Sequence, residues 1–177
     1  EVFGRAAPKV FEIGFGMGET SAAIAAAHPE NDYLGVEVHT PGVGSLCKLV
    51  AEGGITNQRI VQHDAVEVLR DMIQPEALSG VHIFFPDPWP KARHHKRRVV
   101  SQSNLDAFAR VLKDGGTMIQ TTDVAELAGW MASQTVRHPA FEWQANSQKD
   151  WETAPEGWLP TRYEMKGREA GRVQSYL

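Results

Sequence analysis

The chain has 177 residues, 42% of them apolar and 23% charged, with a formal net charge of −4; these are ordinary values for a single domain over residues 1–177 with a sizeable core. No apolar run reaches the roughly 20 residues that a membrane helix needs, no charged-then-apolar leader opens the chain, and a lone Cys47 excludes an internal disulfide. A reducing, cytoplasmic setting is therefore expected, and because strand-forming sequence begins almost at Glu1, an N-terminal segment is expected to precede it.

Residues 8–13 (PKVFEI) predict a strand that ends in the glycine turn GFGMGE, and the Ala-rich TSAAIAAA predicts a helix stopped at Pro29. Residues 33–38 predict a second strand. Residues 42–52 predict a helix closed by Gly53 and Gly54. A third strand follows at 59–62, with Asp64 just past its end, and then a helix at 65–73. Residues 81–85 are nearly all apolar, as expected for a fourth strand in a sheet covered on both faces. A helix over 103–112 is expected, capped by Ser103 and stopped at Gly115 and Gly116. A fifth strand at 117–121 and a helix at 125–136 follow, and the tail from 141 to 177 reads as two strands around a polar loop. Strand and helix alternate five times, which predicts an α/β, doubly wound, mainly parallel sheet whose ligand lies beyond the carboxyl ends of the strands.

The turn Gly14-x-Gly16-x-Gly18 lets backbone approach a ligand closely. Glu19 stands where a dinucleotide fingerprint wants a small residue, and Glu12 precedes the first glycine by two positions. A carboxylate there repels a pyrophosphate and suits a ligand bearing an ammonium and a sulfonium, a description that S-adenosylmethionine meets. Glu37, ending the second strand, is placed to accept from both ribose hydroxyls, and Asp64 from the adenine amine. Each carboxylate alone also reads as a cap or surface group; the three together, at successive strand ends, point to a cofactor site.

The most informative stretch is FFPDPWPKARHHKRR at 84–98. Pro86, Pro88 and Pro90 stiffen a turn that carries Asp87 beside Trp89. Lys91, Arg93, Lys96, Arg97 and Arg98 then contribute +5, which against a total of −4 leaves −9 on the rest of the chain. Such asymmetry orients a polyanion on one face. The same residues also admit plainer readings: a solvated charge run, an Asx turn at Asp87, and Trp89 as packing. Adjacent His94 and His95, without Cys or carboxylate at ligand spacing, argue for no metal; they suit phosphate or backbone partners.

These motifs resemble the bacterial tRNA (guanine-N7-)-methyltransferases. The likeness rests on EIGFGMG at 12–18, GVEVHTPGVG at 35–44, HDAVEVL at 63–69, FFPDPWPKARHHKRR at 84–98, TTD at 121–123 and TRYE at 161–164. It implies the Rossmann-like class I S-adenosylmethionine-dependent methyltransferase fold, with Glu12, Glu37, Asp64 and Asp87 lining the cofactor site and Asp87 as the catalytic carboxylate. It implies that Lys91, Asp123, Thr161, Arg162, Tyr163 and Glu164 contact the guanine region, and that residues 93–98 (Arg93, His94, His95, Lys96, Arg97, Arg98) bind tRNA. Arg162 and Tyr163 replace the Lys and Phe more usual in the family, keeping charge and ring. Without the resemblance, TRYE reads equally as a capping turn and Asp123 as a helix N-cap. Family members occur as monomers and dimers, and either state is open here.

The implied chemistry is in-line methyl transfer to N7, with Asp87 offsetting the charge the purine gains and with Glu164 and Asp123 accepting from guanine N1–H and the N2 amine. Three rival readings remain at this level: a methyltransferase for another RNA, a small molecule or a protein; a non-catalytic RNA-binding module; and a nicotinamide dehydrogenase, which Glu12 and the glycine spacing disfavour.

Overall fold

The computed structural model describes residues 2–177. In chain order the elements are β1 (Lys9–Ile13), α1 (Glu19–Ala27), β2 (Asp32–Glu37), α2 (Thr40–Gly53), β3 (Gln58–Gln62), α3 (Ala65–Asp71), β4 (Leu78–Phe84), a 3-10 turn (Ala92–Arg97), α4 (Gln102–Val111), β5 (Leu112–Thr122), α5 (Ala125–Val136), α6 (Gln148–Glu152), α7 (Arg162–Glu169) and β6 (Ser175–Tyr176). They build one six-stranded sheet in the order β3-β2-β1-β4-β5-β6. The first five strands are parallel; β6 runs antiparallel to β5, pairing Thr121 with Tyr176 and Thr122 with Ser175. The chain order reverses between β1 and β4, and the crevice falls there.

Alternate β-branched and aromatic residues put both faces of the central strands under helices. Phe11, Val36, Val81 and Ile83 are fully buried in the sheet, and Leu69, Leu105, Phe108, Leu127 and Met131 cover them from the helices. Full burial contributes about 1.5–3 kcal/mol for each large side chain. His82 stacks on Phe84 with ring centroids 4.8 Å apart, and burial pulls its pKa down to about 4, so it is neutral at pH 7.

The parallel α/β sheet matches the sequence expectation, and three local details differ. α4 starts one residue earlier than expected and is capped by Ser101, whose Oγ accepts from Asn104 N at 3.3 Å; Ser103 lies inside the first turn. Gly115 and Gly116 do not stop that helix. It passes straight into β5 at Leu112, and the glycines sit where the β4–β5 register shifts. The tail holds two short helices and a two-residue strand in place of two strands. Hydroxyl caps explain the helices: Ser147 and Asp150 form a reciprocal capping box, and Thr161 Oγ1 accepts from Glu164 N at 3.0 Å. TRYE is thus the first turn of α7, as the capping reading has it.

Candidate active site

A cleft of about 940 Å³ opens along the carboxyl ends of the strands. One wall is the glycine turn. Gly14, Gly16 and Gly18 have φ of 68°, 58° and 79°, the left-handed region that glycine enters without steric cost. Gly14 N donates to Val36 O at 2.8 Å, and Gly16 N donates to Glu37 Oε2 at 2.9 Å, so the turn is tied to the end of β2. α2 closes on it so tightly that a Cβ at Gly42 would lie 2.0 Å from Gly16 O. Sequence reasoning misses Gly42, whose signal is its place in GVEVHTPGVG. Gly42→Ala is expected to displace the turn at a cost of about 1–3 kcal/mol, seen as a lower thermal midpoint by calorimetry.

The structure brings the three acidic residues to this wall. Glu12 is 6% exposed and accepts from Ser21 Oγ at 2.6 Å. Burial raises its pKa to about 7; the Ser21 hydrogen bond opposes that rise, and the nearby Glu37 carboxylate adds to it. Glu37 Oε1 accepts from Val38 N and His39 N at 2.8 and 3.0 Å, so its carboxylate is fixed by backbone and Oε2, bonded to Gly16 N alone, keeps a free acceptor site. Asp64 caps α3, its Oδ1 accepting from Val66 N and Glu67 N at 2.9 and 3.1 Å. Oδ2 takes no part in the cap. The cap reading and the cleft reading of Asp64 therefore both describe it.

The turn after β4 borders the same cleft. Asp87 is exposed on the cleft wall. The non-glycine residues Phe85 and Trp89, two positions to either side of it, have φ of 48° and 42°. Such backbone costs on the order of 1–3 kcal/mol per residue and persists only where surrounding structure holds it. Trp89 lies under the Arg97 guanidinium at 4.8 Å and against the edge of His94 at 5.8 Å, so its ring packs within the basic segment.

The basic tract divides. Lys96 and Arg97 are exposed and line the cleft. Lys91 and Arg93 are exposed outside it. His94 and His95 are half-buried, His95 with its ring against Trp130. Arg98, grouped by sequence with the tRNA-binding residues, borders the cleft, but its side chain is 1% exposed and pairs with Glu126 on α5. Its guanidinium is committed to Pro88 O, Trp89 O and Glu126 within the protein, unlike that of Arg97.

The third wall is α7 with the end of β5. Arg162 and Tyr163 are exposed and line the cleft; a Cβ at Gly16 would lie 3.9 Å from Tyr163 Cε2, so the ring reaches the glycine turn. Thr161 is buried and serves as the α7 cap. Asp123 lines the cleft and pairs with Arg172. It does not cap α5, whose N-cap is Val124. Glu164, expected from the resemblance to contact the guanine, is corrected by the structure. It is fully buried, with Oε2 accepting from Trp158 Nε1 at 2.7 Å and Oε1 from Arg168 at 2.6 Å and from the Tyr176 hydroxyl. The carboxylate faces the protein interior and does not line the cleft. Lys166 and Arg172, which sequence reasoning passes over, stand in the cleft instead, Lys166 one helical turn after Arg162.

The residues present fit a cationic nucleoside ligand. Glycines at 14, 16 and 18 leave the turn without side chains, and buried Glu12 supplies the acceptor that a pyrophosphate site would exclude. Among the described residues, no helix is long and apolar enough to cross a membrane.

The family model described as "Putative methyltransferase" matches residues 6–176. The tRNA (guanine-N(7)-)-methyltransferase of Aromatoleum aromaticum is 54% identical over 96% of this chain and 64% of its own length. That of Nitrosospira multiformis is 49% identical over 96% of this chain and 73% of its own. The chain thus spans about two thirds of the length of the curated relatives it matches. Among solved structures, the fold is like that of the precorrin-6y C5,15-methyltransferase of Geobacter metallireducens (TM-score 0.59, 17% identity, covering 76% of this chain and 64% of that one). It is also like an rRNA methylase of Streptococcus thermophilus (TM-score 0.53, 13% identity, covering 72% of this chain and 68% of that one). Fold and glycine turn alone fit many methyltransferases; identity near one half across nearly the whole chain narrows the choice, and the chain belongs to the tRNA (guanine-N7-)-methyltransferase family.

Proposed function

We propose that these residues act as a single methyltransferase domain that transfers the methyl group of S-adenosylmethionine to N7 of a tRNA guanine, the one in the variable loop. The observation that carries this reading is the gathering on one cleft of three acidic residues at strand ends (Glu12, Glu37, Asp64), a cationic pair (Lys96, Arg97) and Asp87. The names of the relatives support the choice of base and of RNA. The setting proposed is the cytoplasm, where tRNA is available.

In this reading Glu12 accepts from the ammonium of the cofactor, Glu37 from its ribose hydroxyls and Asp64 from its adenine amine. When bound, the cofactor supplies an electrophilic methyl group. N7 carries an in-plane lone pair, so no side chain has to remove a proton before transfer. The protein's tasks are placement and charge. Asp87 stands where the purine gains positive charge and offsets it. With Glu164 sealed in the interior, Asp123 is the carboxylate left to accept from the guanine N1–H and N2 amine. Tyr163 covers the glycine turn from the acceptor side, and Lys96 and Arg97 hold the phosphates. The guanine has to leave its tertiary pairing to reach the cleft, which favours a loop nucleotide over a duplex one.

Tritium transfer from labelled S-adenosylmethionine to bulk tRNA, followed by nucleoside analysis, tests the reading: 7-methylguanosine is expected, and label in any other nucleoside, or none, rejects it. A finer expectation concerns salt. Lys96→Ala/Arg97→Ala is expected to lower the slope of log affinity for tRNA against log salt by about 0.7–0.9 for each phosphate no longer neutralised. An unchanged slope in filter binding would reduce the rim to a solvated surface.

A further inference from the structure

The turn that presents Asp87 is held from beneath by one side chain. Arg98 Nε donates to Pro88 O at 3.0 Å and Nη2 approaches Trp89 O at 3.5 Å. Nη1 donates to Glu126 Oε1 at 3.0 Å, and Nη2 reaches Glu126 Oε2. The guanidinium plane lies over the Trp130 ring at 4.9 Å. One planar fork therefore joins the two carbonyls that follow Asp87 to the first turn of α5, and the Trp130 face fixes the fork's plane. The backbone on both flanks of the turn is in the left-handed region, at Phe85 and Trp89, and needs such a hold. Phe85 N donates to Thr121 O at 2.9 Å and ties the front of the turn to β5, while on the far side of Asp87 the prolines stiffen the chain but supply no anchor. Glu126 stays ionised for this purpose; its hydrogen bond from Arg98 holds its pKa below the usual carboxylate value.

We infer that Arg98 is a positioning residue for methyl transfer: by clamping the Pro88 and Trp89 carbonyls to Glu126 it fixes where Asp87 stands in the cleft. The inference deepens the function proposed above and rests on it. It separates Arg98 from its neighbour Arg97, which is exposed and free to meet phosphate. Lysine at position 98 keeps the charge but has no fork, so it cannot serve Glu126 and two carbonyls together.

The test combines kinetics with a readout of the turn. Arg98→Lys is expected to lower kcat by roughly 10–100-fold, the range a misplacement of about 1 Å costs, with KM for tRNA and the salt slope unchanged. In an Asp87→Ala background the same change is expected to cost nothing further, since both act through one group. Glu126→Gln, at an exposed position, is expected to show a smaller kcat loss with the same non-additivity, and it serves where Arg98→Lys does not fold. Independently of turnover, the Trp89 indole N–H resonance is expected to be single in the wild type and to broaden or split in both variants. Losses that multiply with Asp87→Ala, a loss confined to KM with a reduced salt slope, or an unaltered Trp89 resonance would each overturn the inference. A wild-type protein that fails to methylate tRNA while the Trp89 resonance still responds would instead reject the proposed function and leave the clamp standing.

Discussion

Asp87→Ala is expected to lower the rate of methyl transfer to tRNA by roughly 10²–10³-fold, the size of effect seen when one preorganised electrostatic partner of a transition state is removed. Affinity for S-adenosylmethionine should fall only modestly, because Glu12, Glu37 and the glycine turn are untouched. The side chain is exposed on the cleft wall and bears no packing load, so the fold should survive the change. Single-turnover measurement at saturating cofactor and tRNA isolates the step. Asp87→Asn is the sharper variant, since it keeps shape and hydrogen bonding and deletes the charge. If the asparagine variant turned over like the wild type, charge at this position would have no part in the chemistry, and Asp87 would be a turn residue only.

Glu12→Gln should produce the next largest change, with opposite signs in binding and in stability. Loss of a buried charged partner typically costs about 2–5 kcal/mol of affinity, readable by titration calorimetry with S-adenosylmethionine. In the wild type that affinity should weaken as pH falls below about 7, where Glu12 takes up a proton, and the glutamine variant should lack this dependence. Stability runs the other way. A carboxyl whose folded pKa is raised from 4.5 to about 7 binds more protons in the native than in the unfolded chain. Ligand-free stability therefore declines as pH rises through that window, and the loss, on the order of 3 kcal/mol, is complete above it. Glu12→Gln should thus melt higher than the wild type at pH 8 and match it near pH 4.5. A variant that melts lower at pH 8 would mean that the ionised carboxylate is stabilised in the folded protein, and the binding argument would lose its basis.

The parts of the site legible in the sequence are those whose partners are close in the chain. That Glu12, Glu37 and Asp64 would border one cleft could be read because each lies at or just past the end of a short β-rich run and the glycine turn announces the first of them. The tail could not be read by periodicity. α7 buries Glu164 and Gly167 and no large apolar side chain, so it lacks an apolar stripe to mark it as helical. Its hydroxyl cap was the signal present, and Ser147-x-x-Asp150 was the same signal for α6. Arg98 defeats local reading for another reason. It ends a run of five cations that looks uniformly solvated, while its partner Glu126 lies 28 positions away on another helix. Glu164 likewise depends on Trp158, Arg168 and Tyr176, brought together only when β6 joins β5. Charged residues that turn inward are visible only once the fold has supplied what they turn toward.

The sealed Glu164 carboxylate has a consequence for how this enzyme family can diversify. It fastens the inner side of α7 to the sheet edge, so the outward side is free to be re-dressed without loosening its footing. Under the function proposed above, exchanges at Arg162, Tyr163 and Lys166 would alter what an incoming RNA meets, yet none of them disturbs the bolt beneath. On that proposal, altered RNA preference would be reachable by single steps on this helix, each leaving a folded intermediate for selection to act on.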